Sequence, residues 1–322
     1  MSIAGANLST ALAAAAADTG QLRRGYLLGL LGVALFALTI PMTRLASGST
    51  AAPQLSPWFV AFGRAAFAGA LAAVYLLAVR APWPTPAQWR ALTVTAAGVV
   101  FGFPLFMGLA VVRVDAVHAS VVTGILPLVT AAMGAWLLKQ PQRPLFWCFA
   151  WGGFALVVAF AWWRGGAALQ PADGLLALAL CLGALGYVWG ARLSATMRPE
   201  HVISWVLVST LPITVPVTGW AWPDAPVRAS SWLGFAYVAL FSMWLGFFAW
   251  YRALSLGGTV RISQVQLLQP FLSIVAALPI LGEAVDAATC VFLLAVMGVV
   301  FASRRVASSR SSSAPSRGRS PS

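Results

Sequence analysis

The chain has 322 residues, of which 60% are hydrophobic and only 8% are charged, and its mean hydropathy is +0.86. A soluble domain carries about 25% charged residues, so this composition excludes a chain that faces water over most of its surface. The net charge of +13 does not indicate nucleic-acid binding, because the basic residues lie in short gaps between apolar runs and form no basic face. The composition predicts a membrane protein surrounded by the lipid bilayer, with no nucleic-acid partner.

The two ends of the chain differ from the rest in composition. Residues 1–22 are rich in alanine and are predicted to be a disordered N-terminal segment. The basic pair Arg23–Arg24 directly precedes the first apolar run, which is not the layout of a cleaved signal sequence. Residues 305–322 are rich in Ser, Arg and Pro and have nothing to bury, so we expect a disordered basic tail in the cytoplasm.

Between these ends the sequence alternates long apolar stretches with short polar connections. A helix that crosses a bilayer needs about 20 mostly apolar residues. Ten stretches meet this requirement, and we number them segments one to ten: 26–46, 57–80, 88–112, 115–138, 144–164, 173–192, 201–222, 230–252, 260–282 and 286–303. The sequence therefore predicts an all-α membrane protein with ten transmembrane helices.

The positions of the basic residues predict the orientation. Lys and Arg concentrate in the cytoplasmic loops of membrane proteins. With a cytoplasmic N-terminus, twelve basic residues at segment ends lie in the cytoplasm, and four, Arg44, Arg113, Arg164 and Arg228, lie outside. We therefore expect an integral protein of the bacterial cytoplasmic (inner) membrane, with both termini in the cytoplasm.

Segments four and nine resemble each other when residue 119 is aligned with residue 262. "ASVVTGILPLVT" (119–130) then matches "ISQVQLLQPFLS" (262–273). The matched positions are Ser120 with Ser263, Thr123 with Gln266, Pro127 with Pro270, and Thr130 with Ser273. On a helix these positions fall within about 60–80° of arc, so each segment carries one polar stripe and one proline.

This repeat predicts the domain organisation. Residues 23–165 form one five-helix repeat and residues 166–304 a second. Because five is an odd number, the second repeat enters the membrane from the opposite side. Such inverted repeats are common in secondary transporters, which bind substrate near the middle of the bilayer between the two halves.

The prolines give the polar stripes a physical meaning. Proline has no N–H and frees the carbonyl four residues earlier, here those of Thr123 and Gln266. Lipid cannot satisfy a free carbonyl, so it must face protein or a water-filled cavity. The pattern favours a wet cavity, although Ser, Thr and Gln can also simply bridge helices and proline can simply kink them.

Two further side chains are candidates for the wall of this cavity. Arg64 lies inside segment two and either holds a substrate carboxylate or extends to the outer headgroups. Trp244 lies deep enough in segment eight to line the cavity, although an aromatic residue in a span more often serves packing. The predicted substrate contacts are Ser120, Thr123, Ser263, Gln266, Gln269, Ser273, Arg64 and Trp244, and the predicted hinges are Pro127, Pro270 and Pro41.

Several chemical signatures are absent from the sequence. It contains no G-x-x-x-x-G-K-[ST] loop, no H-E-x-x-H motif, no metal-ligand cluster and no supported nucleophile–base set. We therefore expect no enzyme, no cofactor and no bound metal. Glu283, at the outer end of segment nine, either joins an outer gate or faces water.

The residues of segments four and nine carry a resemblance to a known family. "ASVVTGILPLVTAAMGAWLL" and "ISQVQLLQPFLSIVAALPILGE" are similar to the EamA branch of the drug/metabolite transporter superfamily. In that family such a segment has a central proline and ends in Gly-Glu, as at Gly282–Glu283, and an arginine early in segment two is usual. The first half departs from the pattern, because Lys139–Gln140 stands where Gly-Glu is common.

The resemblance implies a secondary transporter that exports small metabolites by alternating access. The amino-acid exporters of the superfamily, including the YddG-type aromatic amino-acid exporter, are the nearest analogy. Neutral hydrogen-bonding groups, apolar walls and one cation suit a small zwitterion, whereas a strongly anionic substrate would require several basic residues. The alternatives are an exporter of drugs or other metabolites and a non-transporting membrane sensor or assembly protein. The sequence leaves the oligomeric state open.

Overall fold

A computed structural model describes residues 3–137, 139, 142–257 and 262–308, with side chains from residue 20 onward except those of 254, 255, 257, 263, 264, 304 and 306–308. The α-helices are Ile3–Ala37, Thr39–Ser47, Pro57–Ala78, Pro86–Thr95, Phe103–Val111, Ala116–Thr123, Leu126–Leu137, Pro144–Arg164, Pro171–Leu193, Pro199–Trp220, Ala229–Tyr237, Gly246–Gly257, Gln269–Leu281 and Ala287–Ser308. Ala96–Gly102 and Val238–Leu245 are π-helical, and Ser263–Leu268 is a 3-10 helix. These described residues contain no β-strand, only one isolated bridge between Gly48 and Pro53.

Eight helical stretches are long and apolar enough to cross a membrane. They correspond to segments one to eight, from Gly20–Ser47 to Ala229–Ala253. Two shorter apolar helices, Val265–Leu281 and Ala287–Ser303, lie where segments nine and ten are predicted. The all-helical membrane class is therefore confirmed, with eight full-length candidate spans in the part of the chain that is described.

Each predicted hinge proline lies at a junction between two helical pieces. Segment one breaks at Leu38, because Pro41 offers no N–H to the carbonyl of Ala37. Segment four breaks just before Pro127, and segment nine changes from 3-10 to α winding just before Pro270. The sequence thus decides where these helices are interrupted.

Helix boundaries recur at the same offset that aligns segments four and nine. The helix that starts at Pro86 has its counterpart at Ala229, and the helix that starts at Phe103 has its counterpart at Gly246. The two π-helical stretches also end at matching positions, Gly102 and Leu245. The two halves of the chain therefore share their helix interruptions as well as their polar stripes.

The packing of the segments follows the same repeat. Segments two and seven pack along each other, as do four and nine, and five and ten. Segment one packs on eight, and segment three packs on six. Each segment corresponds to the one five places away in the other half, so that segment one corresponds to six and segment three to eight. When every segment is exchanged for its counterpart, the same set of pairs results, so the two halves contact each other in a symmetric manner.

Glycines allow the close approach of segments three and six. A Cβ atom on Gly98 would lie 2.3 Å from the carbonyl oxygen of Leu182 and 2.7 Å from Cα of Gly186. Small residues at such crossings let membrane helices gain van der Waals contact, which is a main source of their association. Because the colliding atoms belong to the backbone, a larger residue at Gly98 requires the two helices to separate.

We expect Gly98→Ala to lower the apparent melting temperature of the detergent-solubilised protein, with a loss of about 1–3 kcal/mol from overpacking. Gly152→Ala is the matched control, because Gly152 lies in the exposed part of helix Pro144–Arg164 with no atom within 4 Å of its added Cβ. The control should be neutral or slightly stabilising. Equal melting temperatures for the two variants would contradict the close crossing.

Candidate functional site

A central cavity lies between the two halves of the chain. Its walls come from segments one, two, three and four of the first half and six, eight and nine of the second. The empty space amounts to about 780 Å³ including the opening, and the centres of water molecules can occupy about 50 Å³ of it. This is room for several waters, so the interface between the halves is not tightly filled.

Most of the predicted substrate contacts meet at this cavity. Thr123 of segment four faces Gln266, Gln269 and Ser273 of segment nine, and Arg64 enters from segment two. The hinge residues Pro127 and Pro270 also line the wall. Part of each matched polar stripe, Thr123 in segment four and Gln266 and Ser273 in segment nine, thus lies on one cavity together with the prolines at the helix interruptions.

Other predicted contacts lie elsewhere. The side chain of Ser120 is fully buried behind the wall, where its Oγ lies 2.8 Å from Oγ of Ser273. Pro41 is buried within helix Thr39–Ser47 and does not line the cavity. The side chain of Ser263 lies outside the described residues.

Trp244 does not line the central cavity, contrary to the expectation from its depth in segment eight. Its indole N–H donates to Oγ of Ser204 at 3.3 Å, and its ring packs against Tyr75 and Phe248. A π-helix has more residues per turn than an α-helix, so its side chains point in directions that differ from those expected at α-helical spacing. Ser242, two residues earlier, faces the cavity instead.

Arg64 is a buried cation with no anionic partner in the part of the chain that the structure describes. Its side chain is only 4% exposed, and its Nε and Nη2 atoms lie 3.4 and 3.3 Å from the Sδ atom of Met243. Among the described residues no carboxylate lies within ion-pair distance of the guanidinium. A thioether is a weak acceptor, so a charge buried on this partner is poorly compensated. The side chain therefore turns into the protein instead of extending to the headgroups.

The cavity also contains residues that the sequence analysis missed. Hydroxyl groups of Thr39 and Ser242 lie 2.8 Å apart and join segments one and eight. Three phenylalanines and a tyrosine add aromatic surface, namely Phe36, Phe103, Phe247 and Tyr187. The alignment of the two halves could have helped to find such residues, because Val99 and Ser242 occupy matching positions and both line the cavity.

A second, larger cavity lies between segments four, five and six. About 510 Å³ of it is open to the centres of water molecules, but its walls are almost wholly apolar side chains such as Val122, Phe154 and Leu180. The carboxylate at its polar end, Asp173, is already bonded to Nε2 of His118 at 2.8 Å. We therefore assign the candidate site to the central cavity, where polar groups converge.

Glu283 connects segments four and nine at their predicted outer ends. Its two carboxylate oxygens accept the backbone N–H groups of Ala116 and Val117, each at 2.8 Å. Gly282 permits this reversal by adopting a φ of +68°. Of the two roles considered from sequence, this geometry fits the closing contact and not a side chain that merely faces water.

An ion-pair cluster extends the same closure. The guanidinium of Arg164 lies 3.5 Å from Asp115, at the start of segment four, and 3.1 Å from Asp286, at the start of segment ten. Asp286 also accepts the N–H of Thr289 at 2.6 Å. These hydrogen bonds and ion pairs therefore link the predicted outer ends of segments four, five, nine and ten.

We expect Arg64→Met to leave stability unchanged or to raise it by up to about 2 kcal/mol, because it replaces a poorly compensated buried charge by an apolar side chain of similar length. The measurement is thermal unfolding in detergent, with Arg64→Lys as the control that retains the charge. A large loss of stability in the Met variant alone would contradict this assignment and indicate that the guanidinium supports the fold.

Burial raises the pKa of the Glu283 carboxyl above its ordinary value of 4.5, although the two backbone N–H bonds act in the opposite direction. A raised pKa means that the folded protein binds this proton more tightly than the unfolded chain. The free energy of unfolding should therefore rise as the pH falls through the folded pKa, and the gain should be complete below 4.5.

Glu283→Gln removes the titration of this carboxyl. The difference in stability between wild type and variant therefore reports on Glu283 separately from the other acids. Melting temperatures of wild type and variant between about pH 8 and about pH 4 should show the wild type gaining relative to the variant on acidification. A wild type that instead loses stability relative to Glu283→Gln would contradict the raised pKa.

The sequence matches a known transporter family over most of its length. The EamA-like transporter family matches residues 23–162 and again residues 170–304. The chain is 40% identical over 285 residues to the "Uncharacterized transporter YdeK" of Bacillus subtilis (strain 168), covering 88% of this chain and 98% of the relative. A crystal structure of another protein superposes with a TM-score of 0.58 at 20% identity, over 88% of this chain and 98% of that one, which shows a shared fold. The chain therefore belongs to the EamA-like transporter family of the drug/metabolite transporter superfamily.

Proposed function

We propose that this transporter exports small neutral amino acids, aromatic ones among them, across the bacterial cytoplasmic membrane by alternating access. The observation that carries the proposal is the buried guanidinium of Arg64 beside a cavity lined by amides, hydroxyls and aromatic rings. A substrate carboxylate would supply the anionic partner that the guanidinium lacks, and charge-assisted bonds of this kind are strong.

The remaining walls suit the rest of an amino acid. The amides of Gln266 and Gln269 and the hydroxyl of Thr123 offer neutral donors and acceptors. Aromatic rings such as Phe103 and Phe247 offer apolar surface to a side chain. Arg64 is the one permanently charged group among the lining residues described, so a substrate with several negative charges would be poorly neutralised.

The proposed architecture is ten transmembrane helices in two inverted five-helix repeats, residues 23–165 and 166–304, with both termini in the cytoplasm. The shared helix boundaries and the symmetric pairing of segments support two equivalent halves. The excess of basic residues at one set of segment ends supports the orientation.

The proposed cycle alternates two closures around the central cavity. The contacts of Glu283 and Arg164 hold the predicted outer side shut while substrate enters from the cytoplasm. Substrate is released outward when these contacts separate and the helix junctions at Pro41, Pro127 and Pro270 bend. The driving force is the gradient of the substrate itself or of a coupled ion.

The test is export of labelled phenylalanine, threonine or methionine by the purified protein in liposomes. We expect Arg64→Met to reduce flux by about tenfold or more, since a charge-assisted bond contributes about 1.5–3 kcal/mol. Gln266→Leu and Gln269→Leu should each reduce it by a smaller factor. Thr93→Val is the control, because Thr93 is exposed and its hydroxyl bonds only its own helix.

Flux equal to that of empty vesicles for every amino acid would reject the proposed substrate class. Because the family is one of transporters, the search would then move to other metabolites and drugs. Unchanged flux in all three cavity variants, with amino acids still transported, would remove the cavity residues from the substrate path.

A further inference from the structure

A third polar contact joins the two halves of the chain near their predicted outer ends. Nε2 of His118, in segment four, lies 2.8 Å from a carboxylate oxygen of Asp173, at the start of segment six. The two side chains are only 5% and 11% exposed, whereas the acids that pair with Arg164 are half-exposed. Neither His118 nor Asp173 lines the central cavity. The pair therefore holds the halves together without contacting a substrate in that cavity.

The second cavity connects this contact to the predicted outer side. Asp173 lines that cavity, and so do Leu169 and Pro171, which are exposed at the connection between segments five and six. The connection lies at the predicted outer surface of the membrane. A proton from outside thus reaches the pair without entering the central cavity.

The hydrogen bond determines where such a proton binds. An ionised carboxylate only accepts, so Nε2 of His118 carries a hydrogen and donates it to Asp173. The other carboxylate oxygen of Asp173 accepts the backbone N–H of Gln170 at 2.8 Å. Among the described residues, no other group forms a hydrogen bond with the imidazole. Nδ1 is therefore the atom that takes up an incoming proton.

Charged groups on the neighbouring segments act on this imidazole in opposite directions. Asp173 and Asp115 favour the imidazolium, whereas Arg164 of segment five opposes it. Glu283 of segment nine binds backbone N–H groups of segment four, and Asp286 of segment ten pairs with Arg164. The carboxylate of Asp173 is thus the direct partner of the imidazole in this cluster.

Burial decides the balance while the contact is closed. A buried ion pair regains its lost hydration only through good geometry and further hydrogen bonds. His118 has a single bond, and its ring packs against that of Phe160 at a centroid distance of 5.2 Å. When the two segments separate, water solvates the imidazolium instead. Proton uptake therefore costs more in the closed contact, and by linkage protonation favours opening.

We propose that the contact between His118 and Asp173 is a proton-sensitive latch of the predicted outer gate. The neutral imidazole holds segments four and six together, and a proton from the outer side separates them. The proton returns to the same side when the contact forms again, so none crosses the membrane. The latch rests on the proposed alternating-access cycle, in which an acidic exterior makes substrate release faster.

A reporter cysteine at Ala277 detects opening of the outer side without any substrate. Ala277 is fully buried in segment nine, one turn outward of the cavity residue Ser273. In a protein whose three native cysteines are replaced by alanine, Ala277→Cys reacts with a water-soluble maleimide only when the outer side opens. The labelling rate of the full-length protein in detergent is measured between about pH 8 and about pH 5, a range that brackets the titration of histidine.

The comparison variant is His118→Gln, whose amide N–H still donates to Asp173 but takes up no proton in this range. The thiol and Glu283 titrate in both proteins, so the ratio of the two labelling rates reports on His118. We expect the rate with His118, divided by the rate with His118→Gln, to rise about fivefold or more as the pH falls. His118→Asn replaces His118→Gln if the latter does not fold.

Asp173→Asn distinguishes between the two partners of the contact. The amide oxygen of asparagine still accepts from Nε2, and the imidazole still titrates. The rise should therefore persist when Asp173→Asn is compared with the double variant Asp173→Asn/His118→Gln. Loss of the rise in this pair of proteins would assign the titration to Asp173 and overturn the proposal.

Two further outcomes would overturn the latch. One is a ratio that stays constant or falls as the pH falls, and the other is a reporter that is never labelled in either protein. Because the measurement contains no substrate, failure of amino-acid export leaves its result unaffected, so the two proposals fail separately.

Discussion

Hydrocarbon offers no hydrogen bond to a backbone carbonyl, and this constraint organises the centre of the protein. Each interrupted helix must turn its freed polar groups toward other helices or toward water. Segments one, four and nine are all interrupted near a proline, and all three contribute to the central cavity. The cavity is thus the place where the chain can tolerate broken helices. In the proposed function, polar groups near these breaks contact the substrate.

The buried charge of Arg64 is an exception to the apolar packing of the rest of the fold. Small residues and apolar side chains pack the halves together, whereas the guanidinium lies against a thioether. A buried cation with no carboxylate partner among the described residues is poorly compensated by the fold, and the proposed function pairs it with a substrate carboxylate. In this respect the cavity resembles enzyme sites that keep a destabilised group ready for a ligand.

The two halves are alike in their helix boundaries but not in their polar detail. Segment four stops and restarts as an α-helix, while segment nine passes through a 3-10 turn before Gln269. The outer ends differ too, because Glu283 closes the second half onto the first, and the first half has Lys139–Gln140 at the corresponding place. Because the two repeats share their helix boundaries but differ in their polar groups, they can offer different contacts to the two ends of one substrate.

The sequence by itself determined the membrane class, the apolar segments and the breaks at Pro41, Pro127 and Pro270, since hydropathy and the missing N–H of proline are local properties. Proline alone does not decide a break, however, because Pro212 and Pro216 lie inside the continuous helix Pro199–Trp220. The polar stripes that contain Thr123 in segment four and Gln266 and Ser273 in segment nine could also be found from sequence, because a helix places residues at such spacing on one face wherever it lies.

Only the tertiary structure decided which side chains reach the cavity. Trp244 has the depth expected of a cavity residue but packs against Tyr75 and Phe248 instead, and its depth in segment eight could not reveal this. The contacts of Glu283 with segment four and of Arg64 with Met243 join residues more than a hundred positions apart. Such features arise from how the helices wind and pack against one another, and local sequence patterns do not encode that arrangement.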